Sequence, residues 1–130
     1  MPAANRFPAA VVAALDRAKI LGVRSGAAHK FTGVWVVLVE GRAFARSWGV
    51  KERGWYHAFR AEPRGAIQVD GRELAVRAAF PRGARILDEI DRAYAAKYHT
   101  PASLKWVRDL SGAKSRATTT EFVPLTERGR

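Results

Sequence analysis

Apolar residues between Val11 and Ile20 keep near-helical spacing: Val11, Val12, Leu15, Ala18 and Ile20 surround the polar trio Asp16, Arg17 and Lys19. A single apolar stripe at that period predicts an amphipathic helix over about residues 8–21, opening at Pro8. The next stretch, ILGVRSGAAHKF, places Gly22, Ser25 and Gly26 close together and then returns to β-type residues, which predicts a brief strand and a hairpin loop. Within FTGVWVVLV the run VWVVLV is uninterrupted, so the strand it predicts is covered on both faces. The turn Glu40-Gly41-Arg42 sends the chain back into a partner strand, where Ala43, Ala45 and Ser47 alternate with Phe44, Arg46 and Trp48.

From Gly54 to about Glu62 the pattern predicts a short helix that stops at Pro63, since a residue before proline is pushed out of the α region. GAIQVDGRELAVRAAF repeats the hairpin logic around Asp70-Gly71, the strongest turn signal in the chain. Between Gly83 and Tyr98, the residues Ile86, Leu87, Ile90, Ala93, Tyr94 and Lys97 recur at three- and four-residue steps, with Asp88 and Asp91 near Arg85 and Arg92. This is the longest helix by pattern. TPASLKWVRDLSG opens on a Thr-Pro cap signal and closes on glycine, a third short helix. SRATTTEFVPL is threonine-rich and predicts a final strand despite Pro124, with residues 126–130 a frayed tail.

Six strands flanked by helices follow, an α+β antiparallel β-barrel in a single domain over residues 1–130. Strand pairs joined by tight turns disfavour a doubly wound parallel sheet, whose strands need long crossovers.

Composition narrows the chemistry. The 130 residues contain no cysteine, which removes disulfides, thiol nucleophiles, thiolate zinc and iron–sulfur clusters. The formal charge is +11, supplied mostly by arginine spread along the whole chain. Such a charge attracts polyanions, phosphorylated small molecules or nucleic acid, and it also fits the composition of an arginine- and alanine-rich proteome. Asp16, Arg17 and Lys19 interrupt the N-terminal apolar run, so a signal peptide or membrane span is not expected and the reading is cytoplasmic.

The segment RGWYHAFRAEPRG gathers Arg53, Trp55, Tyr56, His57, Phe59, Arg60 and Arg64. Its rings are read most simply as core or interface anchors for a helix too short to stand alone; the functional alternative makes one ring a wall of a pocket for a planar heterocycle, with an arginine on a phosphate. The His57 imidazole is a candidate for proton transfer, though no carboxylate partner is evident. His29 and His99 have no metal-ligand spacing, and no metal site is expected. Arg46-Ser47-Trp48 offers a cation, a hydroxyl and a ring at a strand end, read equally as Trp48 packing over the barrel mouth. Lys97, Tyr98 and Lys105 follow the long helix, where the helix dipole already accounts for the lysines, and are candidates for pocket rim only. With no glycine-rich phosphate loop, nucleophile elbow or paired carboxylates, any enzymatic activity has to rest on a bound cofactor.

From VWVVLVEGRAFARSWG through GWYHAFRAEPRGAIQVDGRELAVRA the chain resembles the FMN-binding split-barrel fold, especially its deazaflavin-dependent nitroreductase branch. There, a Trp-Tyr-His-Asn-Leu-like helix precedes an Asn-Pro turn and a Gly-Arg hairpin. Over nearly its whole length, including DRAYAAKY and RATTTEF, it more closely resembles a family of small bacterial proteins catalogued only as a domain of unknown function. The split-barrel resemblance implies FMN or the deazaflavin F420 bound across the strands at a homodimer interface, with basic and hydroxyl side chains on the phosphate. It places Trp55, Tyr56 and His57 on the helix motif, Pro63 on the turn and Arg46, Ser47 and Trp48 on the strand end facing it. With Lys30, Arg53, Arg60 and Arg64 as further basic candidates, the cofactor set is Lys30, Arg46, Ser47, Trp48, Arg53, Trp55, Tyr56, Arg60 and Arg64, with Tyr56 and His57 as catalytic candidates in a small-molecule oxidoreductase. The chain departs from the pattern at Arg53-Gly54 in place of His-Pro, at Ala58-Phe59 in place of Asn-Leu, and in a basic hairpin reduced to RSGAAHK. Two other classes stay open: a basic nucleic-acid-binding β-barrel with Trp and Tyr as stacking platforms, and a cofactor-free small-molecule-binding or interaction module.

Overall fold

The computed structural model describes residues 6–27, 30–48 and 54–125. Along the chain run α1 (Ala9–Arg17), β1 (Leu21–Ser25), β2 (Thr32–Val34), β3 (Val36–Val39), β4 (Arg42–Ala45), α2 (Trp55–Ala61), β5 (Arg64–Val69), β6 (Arg72–Ala79), α3 (Ala84–Lys97), α4 (Pro101–Leu110), α5 (Ala113–Arg116) and β7 (Thr120–Pro124). The strands form one sheet in the order β2-β1-β5-β6-β7-β4-β3, with every neighbouring pair antiparallel. Its two outermost strands, β2 and β3, are consecutive in sequence and separated only by Trp35. The edges therefore meet, and the sheet curls into a nearly closed barrel.

Among the described residues seven strands replace the six expected, because the apolar run read as one strand breaks at Trp35. Tyr94 of α3 and Tyr98, the residue that caps its C-terminus, hold the chain open there. The Trp35 carbonyl accepts the Tyr94 hydroxyl at 2.7 Å, and the Val36 N–H donates to the Tyr98 hydroxyl at 3.2 Å, so these backbone groups are satisfied outside the ladder. Helix α1 is also shorter than expected, since Ala18 is already extended on the way to β1. Helix α5 occupies the start of the segment expected as the last strand.

Both tight hairpins form as expected. Glu40 and Gly41 have φ of 57° and 76°, and Asp70 and Gly71 have 53° and 75°, the paired positive values of a two-residue hairpin turn.

Alternation along β3 and β4 sorts two cores. Val36, Ala43 and Ala45 face the barrel interior with Leu21, Val23, Ile67, Val76 and Phe122, closed by Leu15 of α1 and Phe59 of α2. Val37, Val39 and Phe44 face outward and pack under Ile90, Tyr94, Tyr98, Val107 and Leu110 of α3, α4 and the turn between them. The VWVVLV segment is thus covered on both faces, as its unbroken apolarity predicts.

Candidate functional site

Arg46 follows β4 and its side chain passes beneath α3, where the residue is 1% exposed. Its guanidinium pairs with Asp91, and donates to the Thr119 hydroxyl at 2.8 Å and to the Leu110 and Leu87 carbonyls at 3.0 Å each. Asp91 is shared with Arg116, which also reaches Asp88. A buried cation needs such a set of partners. The expectation that Arg46 meets a ligand's phosphate finds no support in this geometry, because its charge is consumed in joining β4, α3, α4 and β7.

A second cation, half-buried, ties the first helix to the barrel. Lys97 donates to the Leu15 carbonyl at the end of α1 (3.0 Å) and to the Val36 carbonyl (2.8 Å). Burial lowers its pKa, with Asp16 acting in the opposite sense. Tyr98, which donates to the Lys19 carbonyl at 2.7 Å, has its pKa pushed up by burial to about 12.

The arrangement best suited to a ligand lies where β1 and β2 meet α2. Val23, Arg24, Ser25, Lys30, Thr32, Gly54, Trp55 and Ala58 line a cleft of about 250 Å³. The Ser25 hydroxyl holds α2 against β1, lying 3.0 Å from the Ala58 carbonyl and 2.7 Å from that of Glu62. Arg24 lies over the Phe31 ring, 4.5 Å from its centre, and pairs with Glu73 at 2.9 Å. Its Nε is buried and has no hydrogen-bond partner. Trp55 is fixed against Phe59 and Phe122, with ring centres 6.4 and 6.1 Å apart. The close approach of β1 to β5 shapes one end: a Cβ on Gly65 would collide with the Arg24 carbonyl and come within 3.0 Å of Phe59.

Of the residues singled out by sequence, the cleft unites Lys30 and Trp55 and adds Arg24, Ser25 and Thr32. The first two of these additions stand in the RSGAAHK hairpin, whose basic and hydroxyl character was the available signal. The other candidates lie elsewhere. Tyr56 is buried, donating to the Ala117 carbonyl at 3.3 Å. The His57 Nε2 is buried without a hydrogen-bond partner, and the ring packs edge-on to Tyr56. Arg60 covers Phe80, 5.0 Å from the ring centre, while Arg64 opens β5 on the exposed surface. The Ser47 N–H donates to the Thr118 hydroxyl at 2.8 Å. Trp48 meets Trp35 and Trp106 in a separate groove. Arg53 and His29 lie outside the described residues. Among the described residues no group of three or more His, Asp or Glu is placed to hold a metal ion, and no helix is long and apolar enough to cross a membrane.

Fold and cleft together define an α+β, split-barrel-like antiparallel β-barrel with a basic, hydroxyl-bearing cleft beside a short aromatic helix. Residues 11–122 match the model of the family described as "Uncharacterized protein conserved in bacteria (DUF2255)", and the chain belongs to that family. Among solved structures, it is similar to a conserved hypothetical protein from Mycobacterium tuberculosis, with 12% identity and a TM-score of 0.60 over 98% of this chain and 86% of that one. It is also similar to a FAD-binding protein from Mesorhizobium loti, with 15% identity and a TM-score of 0.56 over 94% of this chain and 91% of that one. At these identities the likeness establishes the fold. No curated protein matches the chain.

Proposed function

We propose that this barrel binds a phosphorylated flavin or deazaflavin, with the phosphate at Arg24 and Lys30 and the ring system beginning against Trp55. The observation that carries this reading is the cleft itself, where two cations, two hydroxyls and an indole converge on a barrel similar to that of a protein described as FAD-binding. Guanidinium and ammonium groups match phosphate oxygens, the Thr32 hydroxyl supplies a further donor, and the indole face suits a planar heterocycle.

Pockets that bury a drug-sized ligand run to roughly 300–1,000 Å³. At about 250 Å³ the cleft holds one end of the cofactor, so a second copy of the chain covers the remainder and the working form is a homodimer. When bound and reduced, such a ring supplies a hydride to a small acceptor. Tyr56 and His57 lie outside the cleft, which leaves this chain the tasks of binding, orienting and excluding water.

The test is a spectral titration of FMN, FAD and a deazaflavin with purified protein at low and physiological salt, alongside a short oligothymidylate. Saturable perturbation of one of the three that survives salt supports the proposal. Binding of the oligonucleotide alone, collapsing with salt, would move the protein to the nucleic-acid class.

A further inference from the structure

Three of the four tryptophans meet away from that cleft. Trp35 at the β2–β3 break, Trp48 beyond β4 and Trp106 on α4 wall a groove of about 390 Å³. The walls are pre-set. Trp35 is stacked flat on Tyr98, with ring centres 4.2 Å apart and planes within 3°. Trp48 stands at 77° to Trp35 and at 88° to Trp106, and its Nε1 donates to the Trp106 carbonyl at 3.3 Å. A site whose rings are already fixed loses little entropy when a ligand enters.

The barrel core does not account for these rings. Trp48 and Trp106 remain 38% and 44% exposed. Clustered large apolar side chains left in water mark a binding surface.

Charge selects the occupant. A corner of indoles also suits a cation, but the Lys105 ammonium already lies over Trp106, 5.2 Å from its ring centre. Along the exposed face of α4, Lys105, Arg108 and Asp109 leave one net positive charge, on a chain of formal charge +11. A second cation is repelled here and an anion is attracted. The groove has the size for one or two fused rings, and its walls are apolar.

We propose that the groove is a second ligand site, taking a small planar aromatic carboxylate with its rings among the three indoles and its carboxylate at Lys105. This assignment is independent of the cofactor reading, since no residue of the groove lines the cleft.

Calorimetric titration of the full chain with 2-naphthoate at physiological salt tests it, with 2-naphthol as the neutral counterpart and 2-naphthylmethylamine as the cationic one. Saturable naphthoate binding is expected, weakened roughly tenfold or more by Trp106→Ala and roughly two- to fivefold by Lys105→Gln. The naphthol should bind more weakly than naphthoate, and the amine more weakly still. Thermal melts check folding, and Trp106→Leu, which keeps an apolar side chain but removes the ring, should reproduce the loss if Trp106→Ala unfolds. Absence of saturable naphthoate binding, unchanged affinity in both Trp106 variants, or amine binding as tight as naphthoate would overturn the proposal. A dimer that dissociates in Trp106→Ala, without naphthoate binding, would overturn it in favour of a self-association face. FMN affinity unchanged in Trp106→Ala separates this outcome from any failure of the cofactor reading.

Discussion

The hydroxyl of Tyr94 stands between the ends of two strands, accepting the backbone N–H of Arg46 at 3.1 Å while donating to the Trp35 carbonyl at 2.7 Å. Val36 and Ala45 are the last paired residues of the β3–β4 ladder on this side, so the phenol replaces its next rung. Tyr94→Phe removes both bonds and leaves two buried backbone groups unpaired. The expected loss is about 1–3 kcal/mol, read by equilibrium urea denaturation. A variant as stable as the wild type would show that the ladder end closes without the phenol.

Asp91→Asn strips the fully buried Arg46 of its charge partner, and breaking a buried pair from one side costs about 3–5 kcal/mol. Arg116→Gln removes only a partly exposed cation from the same carboxylate, with an expected cost of about 1 kcal/mol or less. Denaturation midpoints of the two variants test the order. Equal losses would mean that Arg46 does not depend on Asp91.

Gly65→Ala drives a methyl group into the Arg24 carbonyl across the β1–β5 pair. Relief requires the strands to part, at an expected cost of about 1–3 kcal/mol. Because Arg24 and Ser25 border the cleft, FMN binding should weaken in the same variant at temperatures where it remains folded. Unchanged stability would mean that the two strands have slack.

Much of the fold was legible because local rules and tertiary packing agree. The Glu40-Gly41 and Asp70-Gly71 turns, the three- and four-residue spacing of Ile86, Ile90 and Tyr94, and the unbroken apolarity around Val37 each encode one structure. The break at Trp35 was hidden, because nothing within FTGVWVVLV signals that hydroxyls sixty residues away satisfy its backbone. Arg46 misled for a related reason: an arginine at a strand end looks available until Asp91, Leu87, Leu110 and Thr119, all distant in sequence, converge on it. Lys30 and Trp55, which line the cleft, were singled out through the resemblance and the aromatic helix. The meeting of Trp35, Trp48 and Trp106 depends on where α4 docks, which periodicity does not specify.

Stability should fall steeply in alkali. Burial raises the pKa of Tyr94 and Tyr98 above the ordinary value of 10.0, Tyr98 to about 12. Above pH 10 the unfolded chain gives up these protons while the native protein keeps them, so stability declines by up to about 1.4 kcal/mol per pH unit for each group. Lys97 works in the other direction: its native pKa is lowered, so it contributes stability that rises with pH up to its ordinary value of 10.5 and is constant above it. Urea titrations between about pH 9 and 11 should show the tyrosines prevailing above pH 10, and a shallower decline in Tyr98→Phe. Equal slopes in wild type and variant would contradict the assignment to Tyr98.

The most direct test of the cofactor site is calorimetric FMN binding at physiological salt to wild-type protein, Arg24→Gln and Lys30→Gln, with Arg46→Met as the internal control. Loss of a charge-assisted contact predicts about tenfold or greater weakening for Arg24→Gln and a smaller loss for the exposed Lys30. Arg46→Met, measured where it is folded, should bind as the wild type does. Affinity that ignores Arg24 and Lys30 but falls in Arg46→Met, or no saturable binding to the wild type, would contradict a cofactor cleft between β1, β2 and α2.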